Sequence, residues 1–235
     1  MHHFIGEFIG TALLIVLGDG VVANVVLNKT KGNNSGWIVI TFGWAMAVFV
    51  GVYAATSLGG SGHLNPAVTL AMAVFHQFQW NLVPTYILAQ FTGAICGALL
   101  VWLSYKQHFD ATPDADAKLA VFCTGPAIRS PLHNLVTEII GTFILVLGAL
   151  LMSTPASSLG TLDALPIGLL VLGIGISLGG PTGYAINPAR DLGPRIVHFL
   201  LPLRGKRNSD WSYAWIPVLG PIIGGMGAAY VYTLF

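Results

Sequence analysis

Two short stretches hold the residues most able to do chemistry. HLNPAVT runs from His63 to Thr69 and GYAINPARDLGPR from Gly183 to Arg195, and each contains Asn-Pro-Ala. Asn is a good helix N-cap, and proline at the first helical position has no N–H to leave unpaired. Asn65-Pro66-Ala67 and Asn187-Pro188-Ala189 are therefore helix starts, each carrying the positive end of a helix dipole. A single such triplet is an ordinary cap; its repetition is what asks for a function. The second stretch also sets Arg190, Asp191 and Arg195 beside the apolar run 164–178, in a chain with 8% charged residues. Glu7 and Glu138 stand in equally apolar surroundings, where a carboxylate needs hydrogen-bond partners.

The elements that position these groups must lie in a bilayer. Of the 235 residues 54% are hydrophobic, the mean hydropathy is +0.75 and the net charge +1, far too apolar for a soluble domain. The first apolar stretch is too long for a secretory signal and is read as a span. A membrane core needs roughly 20 apolar residues per helix. Six segments qualify: 4–27, 36–56, 82–104, 132–153, 162–178 and 212–235. Two half-length pieces remain, 67–75 and 189–200, each opening at an Asn-Pro-Ala. Half-helices are tolerated in lipid only where their ends face protein or a water-filled cavity. Cys96 and Cys123 imply neither a disulfide framework nor a metal cluster.

EFIGTALLIVLG from Glu7 recurs as EIIGTFILVLG from Glu138, and LNPAV as INPAR. Each half runs Glu-bearing span, second span, half-helix, then a third span marked by GxxxG glycines, Gly93 and Gly97 or Gly220 and Gly224, that permit close packing. Three spans per half invert the second half relative to the first. The expected fold is an all-α membrane protein: six transmembrane helices and two re-entrant half-helices in one channel domain. The first repeat covers residues 1–105, the linker 106–131 and the second repeat 132–235. The half-helices then meet at mid-membrane by their N-terminal ends, a zone hostile to cations in which the Asn amides can donate to a neutral hydroxyl.

With the duplicated triplet and the repeat in hand, the chain resembles the major intrinsic protein family, the aquaporins and glycerol facilitators, over nearly its whole length. SGHLNPAVT and GYAINPARDLGPR carry the resemblance, with a departure at 59–63, where GGSGH replaces the usual SGAH. The resemblance implies a constriction on the extracellular side with Arg190 as its positive donor. Gly175 stands twelve residues before the second Asn, where water-selective members have histidine, and Tyr184 stands three before it as an aromatic wall. Trp44 supplies the other aromatic, with Gly43 or Ala45 as alternatives one residue away. Such a ring suits a small polyol better than water alone. Asp191, Arg195 and the pair Pro217-Val218 resemble the glycerol branch.

The resemblance further implies that Glu7 and Glu138 accept from backbone donors of the half-helix loops. It also implies that His63, Gly183 and Ala185 line the pore or support those loops. Asp19 is expected near a membrane boundary, solvated or capping. Trp80, Trp211 and Trp215 are expected interfacial anchors. All ten Lys and Arg fall in the first, third and fifth connections, which charge bias alone would place in the cytoplasm; the family topology places them outside, with both termini in.

The expected function is passive conduction of glycerol and other small neutral solutes (dihydroxyacetone, undissociated lactic acid, urea, hydrogen peroxide) with some water in the cell membrane, and the resemblance implies a homotetramer. A mainly water-selective channel and a proton-coupled transporter using Glu7 and Glu138 are the alternatives. No nucleophile-base pair, metal cluster or phosphate-binding loop is present, so no enzyme, cofactor, metal or nucleic-acid partner is expected.

Overall fold

The computed structural model describes residues 2–152, 158 and 160–235; Ser153, the expected end of the fourth span, lies outside the described residues. Among the described residues all regular structure is helical. The first half holds three long apolar helices, α1 (His2–Val26), α2 (Trp37–Ser57) and α4 (Val83–Ala111), and the short α3 (Pro66–Val74). The second half follows the same order, with α6 (Pro131–Leu151), α7 (Leu165–Leu178), the short α8 (Pro188–Leu200) and α9 (Ile216–Tyr232). α1, α2, α6 and the segment Trp80–Ala111 are each long and apolar enough to cross a membrane. α7 and α9, at 14 and 17 residues, fall short of the roughly 20 an upright span requires. A 3-10 turn at Gly160–Ala164 precedes α7, and tight turns through residues 211–215 precede α9.

Two boundaries differ from the sequence expectation. α4 runs on to Ala111, and the expected linker holds a further helix, α5 (Ala115–Phe122). Asp114 starts it, its side chain accepting from the backbone N–H groups of Asp116 (2.8 Å) and Ala117 (3.2 Å). Eight residues are too few for a periodicity to be legible, so only the Asp cap announces this helix.

The packing turns a soluble protein inside out. Leu88, Leu103, Leu169 and Ile223 are exposed around the perimeter, whereas Glu7, Thr11, Asp19, Gln90, Glu138, Thr142 and Arg195 are buried. Apolar exposure costs nothing against lipid, so the polar groups collect where they can find one another. Trp80, Trp211 and Trp215 are exposed near helix starts, as interfacial anchors require.

Glycines bring the long helices together in matching ways. A Cβ on Gly97 of α4 would meet the Ala12 carbonyl of α1 at 2.7 Å and Ile15 Cβ at 2.8 Å; one on Gly93 would strike the Phe8 carbonyl. In the other half, a Cβ on Gly224 of α9 would strike the Ile139 carbonyl of α6, and one on Gly220 would lie 2.6 Å from Glu138 Cβ. Backbones this close exclude any side chain, and the contacts bring α4 against the helix that carries Glu7 and α9 against the one that carries Glu138. Gly97→Val should cost about 1–3 kcal/mol through overpacking, seen as a lowered midpoint of thermal unfolding in detergent. Gly20→Ala, within α1 and where an added Cβ meets nothing within 4 Å, should leave the midpoint unchanged or slightly raised.

Candidate pore and its lining

α3 and α8 begin alike. Asn65 and Asn187 are both extended (φ −154° and −158°), and each caps its own helix. Asn65 Oδ1 accepts from Ala67 N (2.9 Å), and Asn187 Oδ1 from Ala189 N (3.0 Å) and Arg190 N (3.2 Å). The amide nitrogens reach across to the opposite loop: Asn65 Nδ2 donates to the Ile186 carbonyl (2.8 Å) and Asn187 Nδ2 to the Leu64 carbonyl (2.7 Å). A primary amide has two N–H groups, so each Asn is fixed in orientation and retains one donor. Pro66, Ala67, Pro188 and Ala189 form the buried first turns behind these caps.

The loops before the caps are strained and carboxylates hold them. Leu64, Tyr184 and Ile186 have φ of 50°, 39° and 44°, left-handed conformations that non-glycine residues adopt only when their surroundings impose them. Glu7 accepts from His63 N (3.0 Å), Leu64 N (2.8 Å) and Gln90 Nε2 (2.9 Å). Glu138 accepts from Ala185 N (3.0 Å), Ile186 N (2.8 Å) and the Thr182 hydroxyl (2.7 Å). Both acids are fully buried with their oxygens occupied by donors, the arrangement expected of loop supports. Gln90, which also donates to Thr69 Oγ1 (3.0 Å), completes the first set and carries no motif that would single it out in the sequence.

Between the loops lies a cavity of about 220 Å³. Leu14, Val48, Val52, Leu145, Ile167 and Val171 give it one apolar side. Residues 61–65 and 184–187 with Arg190 give it a polar one, into which His63 and both Asn caps are built. His63 is braced by Thr69 Oγ1 at 3.1 Å and by the edge of Phe78. Gly183 takes the φ of +81° that lets the chain turn into Tyr184, and Ala185 joins the lining.

Trp44, Tyr184 and Arg190 gather on this cavity. The Arg190 guanidinium lies over the Trp44 ring at 4.0 Å from its centroid. Behind Trp44, a side chain on Gly18 would overlap the indole itself. Tyr184 lies over Gly175, where a Cβ would stand 2.9 Å from Tyr184 Cζ, and edge-on to Trp37 at 5.9 Å. Gly175 thus does not itself line the cavity; its missing side chain is the room the phenol occupies.

Asp191 and Arg195 sit behind the lining. The two pair bidentately, Arg195 Nε to Asp191 Oδ1 at 2.8 Å and Nη2 to Oδ2 at 3.0 Å. Arg195 also donates to the carbonyls of Thr124 (2.9 Å), Ser209 (2.7 Å) and Asp210 (3.2 Å), while Asp191 accepts from Thr124 N and Oγ1. The pair clamps α8 to the segments that precede α6 and α9, at no exposure.

Asp19 corrects the sequence expectation. It is buried rather than solvated at a boundary, and its Oδ1 lies 3.8 Å from Arg190 Nη1. An ionisable group within an apolar span is functional by default, and that signal is present in the sequence around Asp19. The packing of neighbouring helices covers Asp19 despite its nearness to the end of the apolar stretch.

A cavity with one apolar and one polar side, entered by two helix N-termini and enclosed by apolar spans, defines a multi-pass transmembrane channel. The chain belongs to the major intrinsic protein family, whose model matches residues 1–232. It is 58% identical over 233 residues to the "Probable glycerol uptake facilitator protein" of Thermotoga maritima, covering 99% of each chain. To the glycerol uptake facilitator protein of Streptococcus pneumoniae strain R6 it is 53% identical over 235 residues, all of both chains. Its fold is similar to the X-ray structure of the aquaglyceroporin from Plasmodium falciparum, with TM-score 0.87 and 30% identity over 98% of this chain and 94% of that one.

Glu138→Ala should leave the N–H groups of Ala185 and Ile186 and the Thr182 hydroxyl without an acceptor, at about 1–3 kcal/mol for each unpaired group. The expected result is a large fall in thermal midpoint together with loss of solute flux, read by circular dichroism and by liposome swelling.

Proposed function

We propose that the protein is a passive channel for glycerol and similar small neutral solutes, with some water permeability and exclusion of ions and protons. The observation that carries the reading is the two-sided cavity. An apolar wall of Leu, Val and Ile faces the carbon chain of a polyol, while loop backbone, the free N–H of each capping Asn and Arg190 face its hydroxyls. Trp44, Tyr184 and Arg190 form the selective constriction, with Gly175 making room for the phenol.

Membership in the family and the names of the relatives support glycerol as the solute class. Three hydrogen bonds to each of Glu7 and Glu138, with both oxygens of each engaged, speak against a proton relay through them. His63, Gly183, Ala185 and Asp191 serve as lining or loop support. The whole chain acts as one channel domain built of an inverted repeat, working as a homotetramer in the cell membrane with both termini in the cytoplasm.

Stopped-flow light scattering on proteoliposomes tests this directly. Shrinkage under sucrose and re-swelling under glycerol are compared, and glycerol re-swelling no faster than in empty liposomes removes the proposal. A histidine at 175 must compete with the Tyr184 ring for the same space, an overpacking of about 1–3 kcal/mol. By pushing the phenol towards Trp44 and Arg190, Gly175→His should narrow the lumen and cut glycerol flux roughly tenfold, with water flux less affected; a mainly water-selective channel would show little change in water flux.

A further inference from the structure

The positive charges around the cavity do not explain why it should exclude anions. Two helix N-termini and the Arg190 guanidinium all present positive potential to the same space, so cations are excluded several times over and anions are attracted. The carboxylate one residue beyond Arg190 offers no relief, because both Asp191 oxygens are engaged by Arg195 and Thr124. Asp19 is different. It comes from α1, is fully buried, and neither of its oxygens has a hydrogen-bond partner. Arg190 Nη1, likewise buried and without a hydrogen-bond partner, faces it at 3.8 Å.

The residues around this pair keep it in place. Gly18, next to Asp19, admits the Trp44 ring on which the guanidinium lies, so the α1 segment that brings the carboxylate also leaves room for the aromatic support. From these positions, and resting on the channel reading above, we infer that Asp19 is the counter-charge of Arg190 and a specificity-determining residue of the constriction. Its negative charge cancels the attraction of Arg190 for small anions while leaving the guanidinium free to donate to uncharged hydroxyls. Asp19 acts through Arg190 and does not itself line the cavity.

The near-isosteric Asp19→Asn tests this with nitrate as the probe. Proteoliposomes are placed in a potassium nitrate gradient with valinomycin present, so that nitrate passage limits swelling, and glycerol re-swelling is measured on the same vesicles. Nitrate flux per channel should rise at least about tenfold, the effect of ~1.4 kcal/mol. The rise should vanish when Arg190 is also replaced, so that Asp19→Asn/Arg190→Val conducts nitrate within about twofold of Arg190→Val alone.

Stability gives a second arm that does not depend on flux. Arg190→Val leaves a buried carboxylate without a counter-charge and should lower the thermal midpoint, and adding Asp19→Asn should restore part of it. Unchanged nitrate flux in Asp19→Asn, the same rise with or without Arg190, or strictly additive midpoints would each overturn the inference. Failure of the wild-type channel to pass glycerol would count against the proposed function instead, with the stability coupling of Asp19 to Arg190 still readable.

Discussion

Backbone that turns back at the middle of a membrane must find hydrogen-bond partners without water, and the rest of this structure depends on how that is met. Two buried carboxylates supply the acceptors. Glu7 and Glu138 each hold two successive loop N–H groups in conformations that Leu64 and Ile186 would not adopt unaided. An intramembrane carboxylate is itself expensive, so each is useful only when a helix delivers it to the right depth with its remaining oxygen capacity filled. Glycine-mediated contact of α1 with α4 and of α6 with α9 does this, and Gln90 and Thr182 complete the two donor sets.

Once the loops are held, the division of the cavity into two sides follows. The loops present backbone and amide groups on one side, because their own N–H groups are spent on the glutamates and caps. The spans present Val, Leu and Ile on the other, because the same residues would serve equally well against lipid. Arg195 and Asp191 fasten α8 from behind, using five donations by one guanidinium and leaving neither charge for the lumen. The two arginines of GYAINPARDLGPR thus do opposite things, one structural and saturated, the other open to the cavity.

Much of this architecture is legible in the amino-acid sequence. The duplicated Asn-Pro-Ala announces the caps and the half-helices, since those depend on local chemistry and on periods of hydrophobicity, whereas the loop contacts of Glu7 and Glu138 span 57 and 48 residues and follow in the sequence only from the family resemblance. Trp44 is legible to within a residue, because helix phase across an altered loop is not encoded locally; its packing against Arg190 appears only in three dimensions. α5 is too brief to show a period. The depth of Asp19 within its span depends on where neighbouring helices lie, and nothing in GDG states that Arg190, far along the chain, will come to lie opposite. Gly175 stands out in the sequence only as a small residue at a position of interest, and that its space belongs to Tyr184 emerges only from tertiary packing.

The crossed amide bonds carry a consequence for how such a protein comes to exist. Asn65 is satisfied by a carbonyl 121 residues away and Asn187 by one 123 residues away, so neither half can finish its own cap loop. The lumen is in this sense an interface between two similar bodies joined by a tether. Two separate half-length chains facing one another across the bilayer would exchange the same pair of bonds, and covalent fusion then frees each side to diverge. Arg190, with no counterpart at Val68 in the other half, is the mark of that freedom.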